Sequence, residues 1–240
     1  MIRFVSETGS TNADLVALGA DWREGDWLAA RRQSEGRGRA GRSWEDGAGN
    51  LMGSTTVALR AGDPPAPTLA LVAGLAAWEA VVAHAPDLAV QLKWPNDLLV
   101  GRAKLAGILL ERSGDTVVVG VGVNLARAPQ VPDRATTALA EHGAAVTPDD
   151  FAEKLAERFA AQLAAWRNGD WPRQRAVWLA RAHPEGTALE VRDRDGTLTA
   201  GTFAGLGADG AALLRLADGT TTPIHAGDVE LMGDGDAARG

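Results

Sequence analysis

The chain has 240 residues, 24 basic and 31 acidic, for a net charge of −7, with 45% hydrophobic and 23% charged residues and no cysteine. Those values describe a globular protein with material for one or two domains, and they exclude disulfides, thiolate metal sites and a cysteine-linked acyl intermediate. No long apolar span or basic-then-apolar leader is present, so a cytoplasmic protein is expected, and the acidic balance argues against nucleic acid as the main partner.

Ile2 to Val5 reads as a first strand, and Ser10-Thr11-Asn12-Ala13-Asp14-Leu15 opens a helix. Thr11 with Asp14 fits a capping box, in which a hydroxyl and a carboxylate satisfy free amides at a helix start. That leaves Asn12 without a role. Trp27 to Arg32 reads as a strand that delivers the chain into Arg31-Arg32-Gln33-Ser34-Glu35-Gly36-Arg37-Gly38-Arg39-Ala40-Gly41-Arg42-Ser43-Trp44. Glycines let a backbone approach a ligand closely, and arginines supply planar donors for phosphate and carboxylate oxygens. Gly36 to Gly41 matches G-x-G-x-x-G formally, but the residues after Gly41 carry no helical apolar period, as a dinucleotide site requires. A solvated arginine-rich loop is the plain alternative.

Leu51 to Arg60 alternates as a half-buried strand, with Leu51, Gly53, Thr55, Val57 and Leu59 on one face. Pro67 to His84 is apolar over most of its helical surface and is expected to be buried against a sheet. Val90 to Lys93 leads into Trp94-Pro95-Asn96-Asp97, where Pro95 ends a ladder. Asn96-Asp97 is either a plain turn or one that holds a hydrated cation near phosphates. Leu98 to Val100 and Lys104 to Glu111 form a hairpin across Gly101-Arg102, followed by a strand from Val117 to Leu125. Gly120 and Gly122 share one face of it, leaving a groove for a flat ring or for the close packing of a helix.

Thr147-Pro148-Asp149-Asp150 starts a helix with Phe151, Leu155, Phe159, Leu163 and Trp166 at core spacing; Asp170-Trp171-Pro172 starts another, with Val177 and Leu179 as core. After His183-Pro184, short strands separated by Asp195-Gly196, Asp209-Gly210 and Asp218-Gly219 predict a small antiparallel barrel from about Glu185 to Met232, with a disordered tail. The four histidines show no metal-ligand spacing.

Gly-Arg-Gly-Arg-x-Gly-Arg-x-Trp after a glutamine resembles the signature loop of biotin protein ligases. Ser10-Thr11-Asn12, Lys93 to Asp97, Lys104-Leu105-Ala106-Gly107-Ile108-Leu109-Leu110-Glu111 and Gly120 to Asn124 follow that family's order and spacing. The resemblance covers nearly the whole chain. It implies an α+β fold: a mixed-sheet catalytic domain of the biotin/lipoate ligase type over 1–184 and a C-terminal SH3-like β-barrel over 185–240. It also implies activation of biotin with ATP and Mg²⁺ to biotinyl-5′-AMP, then transfer to a lysine of a biotin carboxyl carrier domain of a carboxylase. Lipoate protein ligase is the rival with the same adenylate logic, but its expected loop is missing.

The resemblance assigns biotin to Ser10, Thr11, Asn12, Gln33, Gly36, Arg37, Gly38, Arg39, Lys104, Gly107, Gly120 and Gly122. It assigns the nucleotide to Arg39, Arg42, Trp44, Lys93, Asn96, Asp97 and Asn124, with Asp97 as the magnesium ligand. Lys104, Arg37 and Arg39 are the implied catalytic residues. Many members carry an N-terminal DNA-binding domain. The chain begins just before Ser10 and resembles the monofunctional type, with no DNA partner and a monomer or weak homodimer expected.

Overall fold

The structure is a computed structural model that describes residues 1–45, 47–132, 134–192 and 196–232. A seven-stranded sheet has the order β1-β2-β3-β7-β6-β5-β4. Its strands are β1 (Ile2–Val5), β2 (Trp27–Ala30), β3 (Leu51–Ala58), β4 (Val90–Lys93), β5 (Asp97–Val100), β6 (Ala103–Ser113) and β7 (Thr116–Val123). β1 and β2 are parallel and the other neighbours antiparallel, so the sheet is mixed.

Strand periodicity puts consecutive side chains on opposite faces. Trp27, Ala29, Val57, Val117, Val119 and Val121 join the main core under α2 (Thr68–His84) and α3 (Pro148–Arg167). Leu28 and Val118 point the other way and meet Leu15 of α1 (Thr11–Leu18). Helices therefore cover both faces, and β3 is buried from Leu51 to Val57 instead of being half-buried. Alternation alone does not reveal the second layer.

α2 packs without a polar stripe: Leu69, Val72, Leu75 and Val81 are all fully buried, each contributing about 1.5–3 kcal/mol on burial. α1 corrects the expected capping box. Its N-cap is Ser10, whose Oγ accepts from Ala13 N, while Asp14 accepts a hydrogen bond from Thr8 Oγ1. Starting one residue earlier frees the Thr11 hydroxyl to point into the sheet. In α4 (Trp171–Leu179) the buried stripe is Trp171, Gln174 and Trp178, with Val177 and Leu179 only partly covered.

The C-terminal sheet comprises β8 (Ala188–Arg192), β9 (Leu198–Leu206), β10 (Ala212–Arg215), β11 (Thr221–Ile224) and β12 (Asp228–Leu231). Its order, β11-β10-β9-β8-β12, is antiparallel throughout: a four-strand meander, β8 to β11, followed by a fifth strand, β12, that returns beside β8. Asp195 of the expected first turn and the expected tail from residue 233 lie outside the described residues. Leu189, Phe203 and Leu214 share the main core. The Trp94 indole donates to Gly210 O at 2.9 Å, tying the end of β4 to the second sheet.

Candidate active site

The arginine loop is held at both ends. Ser34 N and Glu35 N donate to Thr8 O and Gly9 O, and within the loop Gly38 N donates to Arg42 O and Trp44 N to Gly36 O. The result is a tight hairpin with Arg37 paired to Ser43, not a helix start, which removes the dinucleotide reading. A Cβ at Gly36 would collide with the Trp44 carbonyl, so only glycine permits this closure.

The loop closes over one cavity of about 550 Å³. Every residue singled out in the sequence borders it except Gly36, which lies behind the loop against Trp44. Six cationic side chains (Arg37, Arg39, Arg42, Lys93, Lys104 and Arg134) face it, against four acids. In a chain of net charge −7, this surplus suits a polyanion.

One end of the cavity is lined by α1 and β3. Thr11 N donates to Gln33 Oε1 at 2.7 Å, and Thr11 Oγ1 lies 2.7 Å from Ser54 Oγ. Ser54 Oγ donates to Asn12 Oδ1 at 2.6 Å, and Asn12 Nδ2 donates to Glu111 Oε2 at 2.9 Å. Ser10, Thr11, Asn12, Gln33 and Ser54 are all buried, so this is a preorganised polar network. The two glycines of β7 make room beside it. A Cβ at Gly120 would collide with the Asn12 amide, and one at Gly122 with the Trp44 indole. The flat ring lying over Gly122 is thus Trp44 itself, while a helix side chain occupies the space over Gly120.

At the other end, Lys104 Nζ sits 2.6 Å from Asp97 Oδ1 and 5.6 Å from the centre of the Trp44 ring. Gly107 gives the lysine room, since a Cβ there would lie 2.9 Å from Nζ. Lys93 pairs across the ladder with Asp97. Burial lowers its pKa, and Asp97 partly opposes that shift. Asn96 Nδ2 donates to Ile108 O, and Asn96 Oδ1 accepts from Arg39. Asn124 Nδ2 donates to the carbonyls of Lys104 and Thr137, so its donor side braces β6.

The arginines divide their partners. Arg37 reaches Glu111 at 3.3 Å, Arg39 reaches Asn96 and Gly227 O, and Arg42 pairs with Asp228. The loop is therefore fastened to the second sheet.

Several site residues escaped the sequence reading. Ser54 and Asn50 look like strand and turn residues, yet Asn50 Oδ1 accepts from three consecutive amides, Leu125 to Arg127, and shapes the chain leaving β7. Pro129, Val131, Arg134 and Thr136 and the Asp228–Glu230 edge complete the wall. A serine and two threonines inside an otherwise buried strand were the available signal for Ser54.

The Biotin/lipoate A/B protein ligase family matches residues 2–124, and the Biotin protein ligase C terminal domain matches residues 188–232. The chain is 39% identical to the biotin–[acetyl-CoA-carboxylase] ligase of Paracoccus denitrificans over 88% of its own length and 92% of the relative. It is 37% identical to that of Mycobacterium tuberculosis, over 94% and 86%. Among solved structures, the biotin protein ligase from Aquifex aeolicus in complex with biotin and ATP superposes with a TM-score of 0.85 at 25% identity, covering 96% of this chain and 99% of the other. That from Leishmania major in complex with biotinyl-5-AMP gives 0.66 at 27%, over 94% and 98%. The chain belongs to the biotin protein ligase family.

Proposed function

We infer that the protein activates biotin with ATP as biotinyl-5′-AMP and transfers the biotinyl group to a lysine of a biotin carboxyl carrier domain of a carboxylase. The observation that carries this is the meeting of five separate sequence motifs around one cavity, with a neutral hydrogen-bonding end and a cationic end. The neutral end suits the ureido ring of biotin and the cationic end a triphosphate.

In the first half-reaction a biotin carboxylate oxygen bonds to the ATP α-phosphorus, and the bond to pyrophosphate breaks. In the second, the carrier amine attacks the acyl carbon, AMP leaves with the bonding electrons, and the amine loses a proton. The protein's contribution is positioning and charge stabilisation. Ser10, Thr11, Asn12 and Gln33 hold biotin in a pocket that Gly120 and Gly122 line by making room for Asn12 and Trp44, and Gly36 and Gly38 bring the loop backbone to it. Lys104 stands at the carboxylate and α-phosphate beside Gly107. Arg37, Arg39, Arg42 and Lys93 face the phosphates, and Trp44, Asn96 and Asn124 border the nucleotide. Magnesium enters as the counterion of ATP, with Asp97 as the carboxylate nearest the reacting lysine. Among the described residues no group of three His, Cys, Asp or Glu side chains forms a resident metal site.

The same reading takes the protein as a cytoplasmic monomer or weak homodimer without a DNA partner. Among the described residues no helix is long and apolar enough to cross a membrane. The test is incubation with biotin, MgATP and a carrier domain. A mass increase of one biotinyl group on one carrier lysine is expected. Labelling by lipoate but not biotin would overturn the assignment.

A further inference from the structure

Glu111 has no assigned role, although it lies on the same face of β6 as Gly107 and Leu109, which border the cavity, and stands just outside it behind Asn12. It stands opposite Val118, two pairs beyond Leu109 and Gly120 and so on the same face. Its two oxygens are divided: Oε2 accepts from Asn12 Nδ2 at 2.9 Å, and Oε1 meets Arg37 Nη1 at 3.3 Å. A carboxylate only accepts, so it fixes which end of the Asn12 amide faces it. Asn12 Oδ1 must then face Ser54 and take the single hydroxyl proton of that serine. With its proton used, Ser54 Oγ can only accept at its 2.7 Å contact with Thr11. Glu111 thus sets the direction of the Asn12–Ser54 bond and leaves the Thr11 hydroxyl as the donor to Ser54 Oγ, its one proton shared with Gln33 Oε1 at 3.0 Å.

We propose that Glu111 is a positioning residue that orients the Asn12–Ser54–Thr11 chain and, through Arg37, couples that chain to closure of the arginine loop. The proposal rests on the reading of this pocket as the biotin site. The two halves of the coupling differ in strength. Asn12 is 4% exposed, so its charge-assisted bond to Glu111 is worth about tenfold in an equilibrium constant. The Arg37 side chain is 50% exposed, and a pair of that kind is worth only about threefold.

The experiment measures the Kd for biotin without nucleotide and the release rate of the adenylate, for wild type, Glu111→Ala, Asn12→Ala and the double variant. Glu111→Ala is expected to raise the biotin Kd about tenfold and adenylate release about threefold. In the Asn12→Ala background it is expected to leave the biotin Kd unchanged, because the group it orients is gone. A second variant, Glu111→Gln, keeps the shape but has one oxygen for two donors, so it must lose at least one of the two effects' sources. Additive effects on the biotin Kd, or wild-type values in both folded Glu111 variants, would overturn the coupling while leaving the biotin site intact. A wild-type protein that does not bind biotin would overturn the site assignment and the coupling with it.

Discussion

Lys104 and Asp97 form a close ion pair, Nζ to Oδ1 2.6 Å, with side chains only 14% and 11% exposed. It joins the start of β6 to the first residue of β5, where the expected Asn96-Asp97 turn has already become strand, and so brings the Lys93–Asp97 and Lys104–Glu111 motifs together. The ammonium is thereby held beside the Trp44 ring at the cationic end of the cavity.

On the proposed mechanism, Lys104→Ala removes the preorganised donor at the biotin carboxylate and α-phosphate. Adenylate formation is expected to slow by roughly two orders of magnitude or more. Pyrophosphate-exchange kinetics of a folded variant check this, and unchanged kinetics would remove Lys104 from the chemistry.

Asp97→Asn separates the two roles open to that carboxylate. If Asp97 serves to hold Lys104, the exchange rate falls and the magnesium concentration for half-activation stays where it was. A several-fold rise in that concentration would make Asp97 a metal ligand instead. Titration of magnesium at fixed ATP decides between them.

Arg39 bridges Asn96 and Gly227 O at 3.2 and 3.3 Å, so it pins the loop to both sheets. A mixed anhydride must be shielded until the carrier docks. Arg39→Gly is expected to form the adenylate still, to release it about tenfold faster, and to label bystander lysines. The release rate and biotinylation of serum albumin measure this; retention as tight as wild type would show that Arg39 does not hold the lid.

Gly122→Ala puts a methyl group into the Trp44 indole. In a strand interior alanine is no worse than glycine, so thermal stability should shift by only a few degrees, on the order of 1 kcal/mol. The displaced Trp44 should raise the KM for ATP or biotin about tenfold or more. Wild-type KM values would show that Trp44 has no part in closing the cavity.

The legible parts of this site were contiguous ones. Ser10 to Asn12, the arginine loop, Lys93 to Asp97 and Lys104 to Glu111 are each short strings that can be matched to a family's motifs, whereas their residue types alone left Asn12 without a role and Asn96-Asp97 open between a turn and a cation site. The illegible parts were supplied by pairing across distance. Ser54 reaches Asn12 only because β3 and β7 are neighbours and α1 lies over both, and period-two alternation had assigned that face to solvent. Asp228 reaches Arg42 across a sequence separation of 186, and no local pattern encodes that. Trp44 was recognisable as a loop residue, but its seat over Gly122 depends on the β6–β7 register. The fold was read more fully, because apolar runs and Asp-Gly turns mark strands and hairpins wherever they pack.

His183 adds a pH dependence outside the chemistry. It packs edge-on against Phe203 at 4.4 Å, and burial pushes its pKa down to about 4, with the neighbouring Lys93 charge adding to the shift. The unfolded chain binds this proton near pH 6.5 and the folded protein only near 4, so the unfolded state holds more protons between those values. Stability is complete above about pH 6.5 and is lost as the pH falls toward 4, by about 2–3 kcal/mol from this group. Urea unfolding of wild type and His183→Gln across pH 4.5–7 should show a flatter profile for the variant; parallel profiles would place the acid sensitivity elsewhere.

Biotin-dependent exchange of labelled pyrophosphate into ATP tests the adenylate reaction at this cavity most directly, with lipoate and octanoate as comparators. The expected result is exchange that requires biotin, falls by about two orders of magnitude in Lys104→Ala, and is absent with either comparator. Exchange supported by lipoate or octanoate but not by biotin would contradict it.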